Sequence, residues 1–100
     1  MLFRFVAAVL DAGRAAGLSH GALHPRDVLV TEDDVRVTGL GISRALERAG
    51  MATTARRPYA APERLAGSAW GCEADTFSLA ALAFEFLSGR RVAEIGRAHV

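Results

Sequence analysis

Three side chains capable of chemistry lie close together near the start of this 100-residue chain. His20 and His24 are four residues apart, and Asp27 follows three residues later. Two histidines at this spacing on one helix face are a common pair of zinc ligands. Gly21 and Pro25 oppose a helix here, and no third ligand is evident. We therefore expect that no metal binds here. The His20 side chain is expected to pack inside the protein, and the His24 side chain is expected to be solvated.

Asp27 has two interpretations that the sequence leaves open. Its carboxylate could bind Mg²⁺ or accept a proton, which are the usual tasks of an acidic side chain in a catalytic site. It could equally cap the turn before the apolar run Val28–Val30, as aspartate often does in turns. The sequence favours the capping role.

Composition narrows the chemistry further. All 12 basic residues are arginine, and the chain has no lysine, asparagine or glutamine. Lysine contacts to nucleotide phosphates and Schiff-base chemistry are therefore excluded within these residues. A net charge of +1 gives no electrostatic reason to expect nucleic acid or a membrane surface as partner. The single cysteine, Cys72, leaves no disulfide framework or cysteine-based zinc site, so a cytoplasmic setting is the default expectation.

Local patterns in the first half predict one helix and one hairpin. Apolar residues recur at helical spacing over residues 2–16, and Gly17 is a plausible stop. The apolar run at its start is too short and too charged for a signal peptide or a membrane span. Short β runs at 28–30 and 35–37 flank a polar turn, which predicts a small hairpin.

The second half is predicted to be helical. We expect a short helix over 43–48, a helical turn after Pro62 and a long helix over 75–88 that ends at Gly89. The long helix is apolar on nearly every side, which predicts burial in a larger core than this chain supplies. One face of it is marked by Leu79, Leu82, Ala83, Phe86 and Leu87. The chain is thus mainly α with a small β hairpin, an α+β class.

The last residues do not continue this pattern. Glu94–Val100 has no periodicity, and Ile95–Val100 back-translates to the start of a widely used sequencing adapter. We therefore expect residues 94–100 to be a non-native tail and assign the fold to residues 1–93.

Four short patterns occur in order along the chain: His20–Val30 (HGALHPRDVLV), Thr38–Ser43 (TGLGIS), Tyr59–Leu65 (YAAPERL) and Asp75–Leu79 (DTFSL). In this order and spacing they resemble the catalytic loop, DFG motif, APE motif and buried central helix of protein kinases, in particular bacterial serine/threonine kinase-like sequences. The resemblance covers about residues 2–93. It implies the first half of the kinase C-lobe, without the N-lobe and without the later C-lobe helices.

The departures from this family concern catalysis. By the resemblance, Ala22 matches the catalytic-loop aspartate that orients the substrate hydroxyl, and His24 matches the catalytic-loop lysine. Asp27 matches the magnesium-binding asparagine, and Gly39 matches the magnesium-binding aspartate of the DFG motif, whose glycine is kept as Gly41. The resemblance therefore implies no catalytic residue, no metal and no cofactor in this segment, with Asp27 as a weak candidate for cofactor binding.

Other matched positions are implied to be structural. His20 would pack and hydrogen-bond beneath the catalytic loop, and Asp75 would accept backbone N–H groups of that loop. Pro62 and Glu63 would anchor the end of the activation segment. The arginine partner of Glu63 would lie in a later helix, so this carboxylate is expected to be unpaired here.

These observations lead to three hypotheses. The first is a fragment of a pseudokinase, a catalytically inactive kinase-like domain that acts by binding a protein partner in regulation or scaffolding. The alternative is a piece of a divergent active serine/threonine kinase that uses ATP, Mg²⁺ and Asp27. The third, a small unrelated interaction domain, is opposed by the four ordered motifs.

Several loop residues have weaker interpretations. Thr53 and Thr54 lie where kinases are often phosphorylated, although an inactive site would leave nothing to switch. Arg56–Pro58 could bind a phosphate or an acidic patch of a partner, but a solvated loop is expected. Trp70 and Cys72 are expected to pack within a loop, without an assigned function.

Overall fold

A computed structural model describes residues 2–53 and 56–89 of the chain. In chain order it contains helix α1 (Leu2–Ala15), a 3-10 turn (Pro25–Asp27), strands β1 (Val28–Val30) and β2 (Val35–Val37), and helices α2 (Ile42–Arg48), α3 (Pro62–Leu65) and α4 (Cys72–Ser88). The prediction of a mainly helical chain with a small hairpin is confirmed. The expected non-native tail, residues 94–100, lies outside the described residues.

Helix α1 packs one apolar stripe against the rest of the chain. Val6 is fully buried in this stripe, and Gly13 is buried two residues before the helix ends. A Cβ at Gly13 would come within 2.9 Å of the Leu40 side chain, so glycine lets the loop after β2 lie against the helix. Beyond the helix, Gly17 adopts a φ of +77°, a backbone conformation that glycine accepts readily.

The hairpin brings the first two sequence motifs together. Strands β1 and β2 pair antiparallel, with Val28 opposite Val37. Directly after this pair, the Thr38 N–H donates to the Asp27 carbonyl at 2.8 Å. Thr38, the first residue of the second motif, therefore lies beside the 3-10 turn of the first motif.

The core is small and lies between α1, the loops and α4. Its main buried side chains are Val6, Leu23, Tyr59 and Leu82. Within residues 2–53 and 56–89, no helix has both the length and the apolar character needed to cross a membrane.

Helix α4 begins at Cys72, three residues before the predicted start, and its N-cap Gly71 makes no side-chain capping hydrogen bond. Because glycine is only modestly enriched at helix N-caps, the sequence pattern missed this first turn. The helix ends after Ser88 as predicted, and Gly89 adopts a left-handed φ of +69°.

The buried face of α4 is partly polar, which corrects the face predicted from sequence. Its buried residues are Ala74, Asp75, Ser78 and Leu82. The rotation of the helix follows from its polar groups, since the buried Ser78 hydroxyl donates to the Tyr59 carbonyl at 2.7 Å. Phe86 and Leu87, predicted to share the face of Leu82, are instead 69% and 83% exposed.

We expect the 100-residue chain to self-associate through this end of α4, because large exposed apolar patches drive association. Replacing Phe86 and Leu87 together by glutamine should lower light scattering and binding of a hydrophobic dye. Ile42→Gln is the matched control, since Ile42 is 57% exposed but lies on α2, and it should have a smaller effect. A monomeric chain with a sharp, reversible thermal transition would contradict this expectation.

Candidate functional site

The first motif begins with an irregular backbone segment that a buried carboxylate holds in place. The His20 N–H donates to Asp75 Oδ2 and the Gly21 N–H donates to Asp75 Oδ1, both at 2.8 Å. His20 and Asp75 are both buried, so water cannot replace these hydrogen bonds. The Asp75 carboxylate therefore joins the start of the first motif to α4.

The His20 ring joins the first motif to the second. Its Nδ1 accepts the Ala22 N–H at 3.2 Å, and its Nε2 lies 2.7 Å from the Thr38 carbonyl oxygen. Because Nδ1 is an acceptor, the ring proton of the neutral imidazole lies on Nε2, which donates to Thr38. This imidazole thus bridges two loops without contacting solvent.

Gly39 and Gly41, in the second motif, both have positive φ values, +88° and +84°. A Cβ at Gly39 would lie 3.1 Å from His20 Nε2, which is closer than most such contacts. Gly41 caps α2, and its N–H donates to the Ser19 carbonyl at 3.0 Å. The backbone of this motif therefore favours glycine at both positions.

Protein groups surround Asp27. Its Oδ2 accepts the His24 N–H at 3.0 Å and the Arg56 guanidinium at 2.8 Å, and it lies 3.4 Å from His20 Nε2. The His24 ring in turn accepts the Arg26 N–H at 3.0 Å, which completes a capping box around the 3-10 turn. The Asp27 side chain is only 13% exposed. Asp27 therefore caps the 3-10 turn, and its role as a candidate for cofactor binding stays a prediction.

These contacts correct the expectation of a solvated His24, whereas Arg56 is exposed, in keeping with the expected solvated loop. The His24 ring packs edge-on against Tyr59, with ring centroids 5.1 Å apart, and is half-buried. Arg56 forms an ion pair with Asp27 across 29 residues of sequence. Burial, and then the positive charge of Arg56, lower the pKa of His24 below its usual 6.5.

The third motif begins helix α3 at Pro62 and contacts the first motif through its arginine. The Arg64 Nε–H donates to the Gly21 carbonyl at 2.8 Å. Glu63 is half-buried, and its carboxylate makes no hydrogen bond or ion pair with the described residues. Pro62 and Glu63 therefore lie next to the arginine that joins the third motif to the first.

Sequence reasoning missed a polar cluster beside Gly21. It consists of Arg44 and Glu47 on α2, Thr53, Arg64 on α3 and Trp70, and we call it the Glu47 cluster. Arg44 and Glu47 are three residues apart on a short helix, which indicates a shared face, but no sequence pattern indicates what that face meets. Cys72 contacts Ser19 nearby, with 3.3 Å between Sγ and Oγ.

No protein-family model matches the chain. It is 36% identical over 93 residues to the serine/threonine-protein kinase PknD of Mycobacterium tuberculosis, covering 88% of this chain and 14% of PknD. It is 32% identical over 87 residues to PknA of the same organism, covering 82% of this chain and 20% of PknA. It is 28% identical over 90 residues to a probable serine/threonine-protein kinase of Clostridium acetobutylicum, covering 85% of this chain and 14% of that protein.

The four joined motifs and these alignments define a protein kinase-like segment. Its relatives are bacterial serine/threonine protein kinases, and the chain spans 14% to 20% of the length of the three named here.

Replacing Asp75 by asparagine should destabilise the full-length protein by about 1–3 kcal/mol, because an amide leaves one of two buried N–H groups without an acceptor. Denaturant unfolding measures this loss. Glu73→Gln, an exposed change in the same helical turn, is the control and should stay within about 0.5 kcal/mol of wild type. Equal effects of the two variants would contradict the role given to Asp75.

The pKa of His24, followed by NMR of its ring protons, should lie below 6.5 and should rise in Arg56→Gln. This change removes a positive charge near the imidazolium and leaves the Asp27 carboxylate less neutralised, and both effects favour the protonated ring. Arg57→Gln, which alters an adjacent exposed arginine, should leave the His24 pKa in place. The same His24 pKa in wild type and in Arg56→Gln would disprove this electrostatic account.

Proposed function

We propose that this chain is part of a pseudokinase, a catalytically inactive kinase-like domain that acts in the cytoplasm by binding a protein partner in regulation or scaffolding. The observation that carries the proposal is the set of hydrogen bonds that the Asp27 carboxylate accepts. This carboxylate, the one acidic group at the matched catalytic positions, already accepts hydrogen bonds from Arg56 and from the His24 N–H.

Phosphoryl transfer needs a group to orient the attacking hydroxyl and carboxylates to hold Mg²⁺ against the phosphates. Ala22 has no polar side chain, and Gly39 has no side chain at all. The positive φ of Gly39 and the nearby His20 Nε2 also leave an aspartate there strained and crowded. The side chains present therefore do not fit a magnesium nucleotide, and no catalytic step is assigned to them.

The contacts that remain support a binding role. Asp75, His20 and Arg64 join the four motifs through backbone groups, and none of these bonds needs a catalytic side chain. A fold that keeps its shape without its reaction chemistry can still present a surface to another protein.

An active but divergent serine/threonine kinase is the second candidate. A carboxylate remains at Asp27, and the curated relatives are named as kinases. Catalysis by this route would use Asp27 Oδ1, because Arg56 and the His24 N–H both donate to Oδ2.

The two candidates differ in transfer of the γ-phosphate of ATP. We expect the full-length protein to incorporate no labelled phosphate into itself or into a general protein substrate, and Asp27→Ala should change nothing in this assay. Asp33→Ala, an exposed carboxylate in the hairpin turn, is the matched control. Transfer that disappears in Asp27→Ala and survives in Asp33→Ala would overturn the pseudokinase proposal in favour of the active kinase. A thermal shift with Mg-ATP in the same samples reports nucleotide binding separately from transfer.

A further inference from the structure

Glu47 is the centre of the Glu47 cluster. Its carboxylate accepts the Thr53 hydroxyl at 2.7 Å, the Trp70 Nε1–H at 2.9 Å and the Arg64 Nη1–H at 3.1 Å. The three donors come from three different parts of the chain, since Thr53 follows α2, Arg64 belongs to α3 and Trp70 precedes α4. One carboxylate therefore ties three separate parts of the chain to α2.

Arg64 extends these contacts to the first motif. Besides Glu47, it donates to the Thr53 hydroxyl at 3.0 Å and to the Gly21 carbonyl at 2.8 Å. Its side chain is only 7% exposed, so its charge depends on a partner within the protein. Glu47 supplies that partner and is itself 29% exposed.

The Trp70 ring fills the space beside the first motif. The guanidinium of Arg44 lies 3.9 Å from the ring centroid and that of Arg64 lies 4.4 Å from it, both within the range of a cation–π contact. Arg44 also donates to the Trp70 carbonyl at 2.7 Å. Any Cβ at Gly21 would collide with this ring, so the close packing depends on glycine there.

We propose that Glu47 is a built-in anionic latch, which holds residues 49–53 and 56–70 against the first motif without a bound ligand or a covalent modification. This inference goes beyond the proposed function and does not depend on it, because the latch acts on conformation in an active or an inactive domain alike.

The latch bears directly on Thr53. Its hydroxyl already donates to Glu47 and accepts from Arg64, so both of its hydrogen-bonding roles are in use. A phosphate on this oxygen would bring its negative charges against the Glu47 carboxylate, which is repulsive. The place that a phosphate would take beside Arg64 is therefore already occupied by the Glu47 carboxylate.

Protonation should open the latch. The hydrogen bonds from Thr53 and Trp70 lower the pKa of Glu47 below 4.5. The charged groups that face it are Arg64 on α3 and, across the Trp70 ring, Arg44 on its own helix. Since the folded pKa is lowered, the stabilisation is complete at neutral pH, begins to fall near pH 4.5 and is lost as pH drops through the lowered value.

Hydrogen exchange in the full-length protein tests the latch. In Glu47→Gln, amides of residues 49–53 and 56–61 should exchange about tenfold faster than in wild type, while those of α1 stay unchanged. Trp70→Phe keeps an aromatic ring beside Arg44 and Arg64 but removes the N–H that donates to Glu47. It should therefore speed the exchange of the same amides by a smaller factor. Glu32→Gln, an exposed change in the hairpin turn, is the control and should alter neither region.

Two outcomes would overturn the proposal. One is that the amides of Glu47→Gln exchange at the wild-type rate. The other is that exchange rises equally in α1 and in residues 49–53 and 56–61, which would indicate a general loss of stability. A pH series between 7 and 3.5, corrected for intrinsic exchange, provides a readout in the unmutated protein. Exchange of residues 49–53 should rise below pH 4.5 in wild type and show no such additional rise in Glu47→Gln. The same acid response in both proteins would also overturn it.

Discussion

Buried backbone without a strand or a helix to satisfy it needs hydrogen-bonding partners from elsewhere, and residues 20–22 are in this position. The Asp75 carboxylate supplies two of these partners by accepting the N–H groups of His20 and Gly21. Once this segment is held on α4, the His20 ring can reach the Thr38 carbonyl and Arg64 can reach the Gly21 carbonyl. The relative placement of all four motifs therefore depends on one buried acidic side chain.

The groups that build this arrangement are distinct from the groups that a phosphoryl-transfer reaction would use. Backbone atoms of residues 20–22 and the side chains of His20, Arg64 and Asp75 make the connecting bonds. Ala22 and Gly39 contribute no side chain to them. This separation fits the proposal that the segment keeps the fold of its 28% to 36% identical relatives without acidic groups at positions 22 and 39.

Local structure was predictable because it depends on local periodicity and stop signals. Examples are the hairpin strands at 28–30 and 35–37 and the helix end at Gly89. The rotation of α4 was not predictable in this way, since buried hydrogen bonds of Asp75 and Ser78 outweigh the apolar pattern. Within the site, the resemblance to kinases indicated the contacts of His20 and Asp75, which periodicity alone could not. The ion pair of Arg56 with Asp27 and the bonds of Glu47 to Arg64 and Trp70 join residues 17 to 29 positions apart. No local signal in the sequence records such neighbours.

Gly21 and Trp70 constrain which substitutions this segment can accept one at a time. With the indole in place, any side chain at position 21 meets the ring and also has to adopt a φ of +80°. A single substitution of Gly21 by a larger residue is therefore penalised unless position 70 changes as well. A larger side chain at position 21 thus requires at least two coordinated changes.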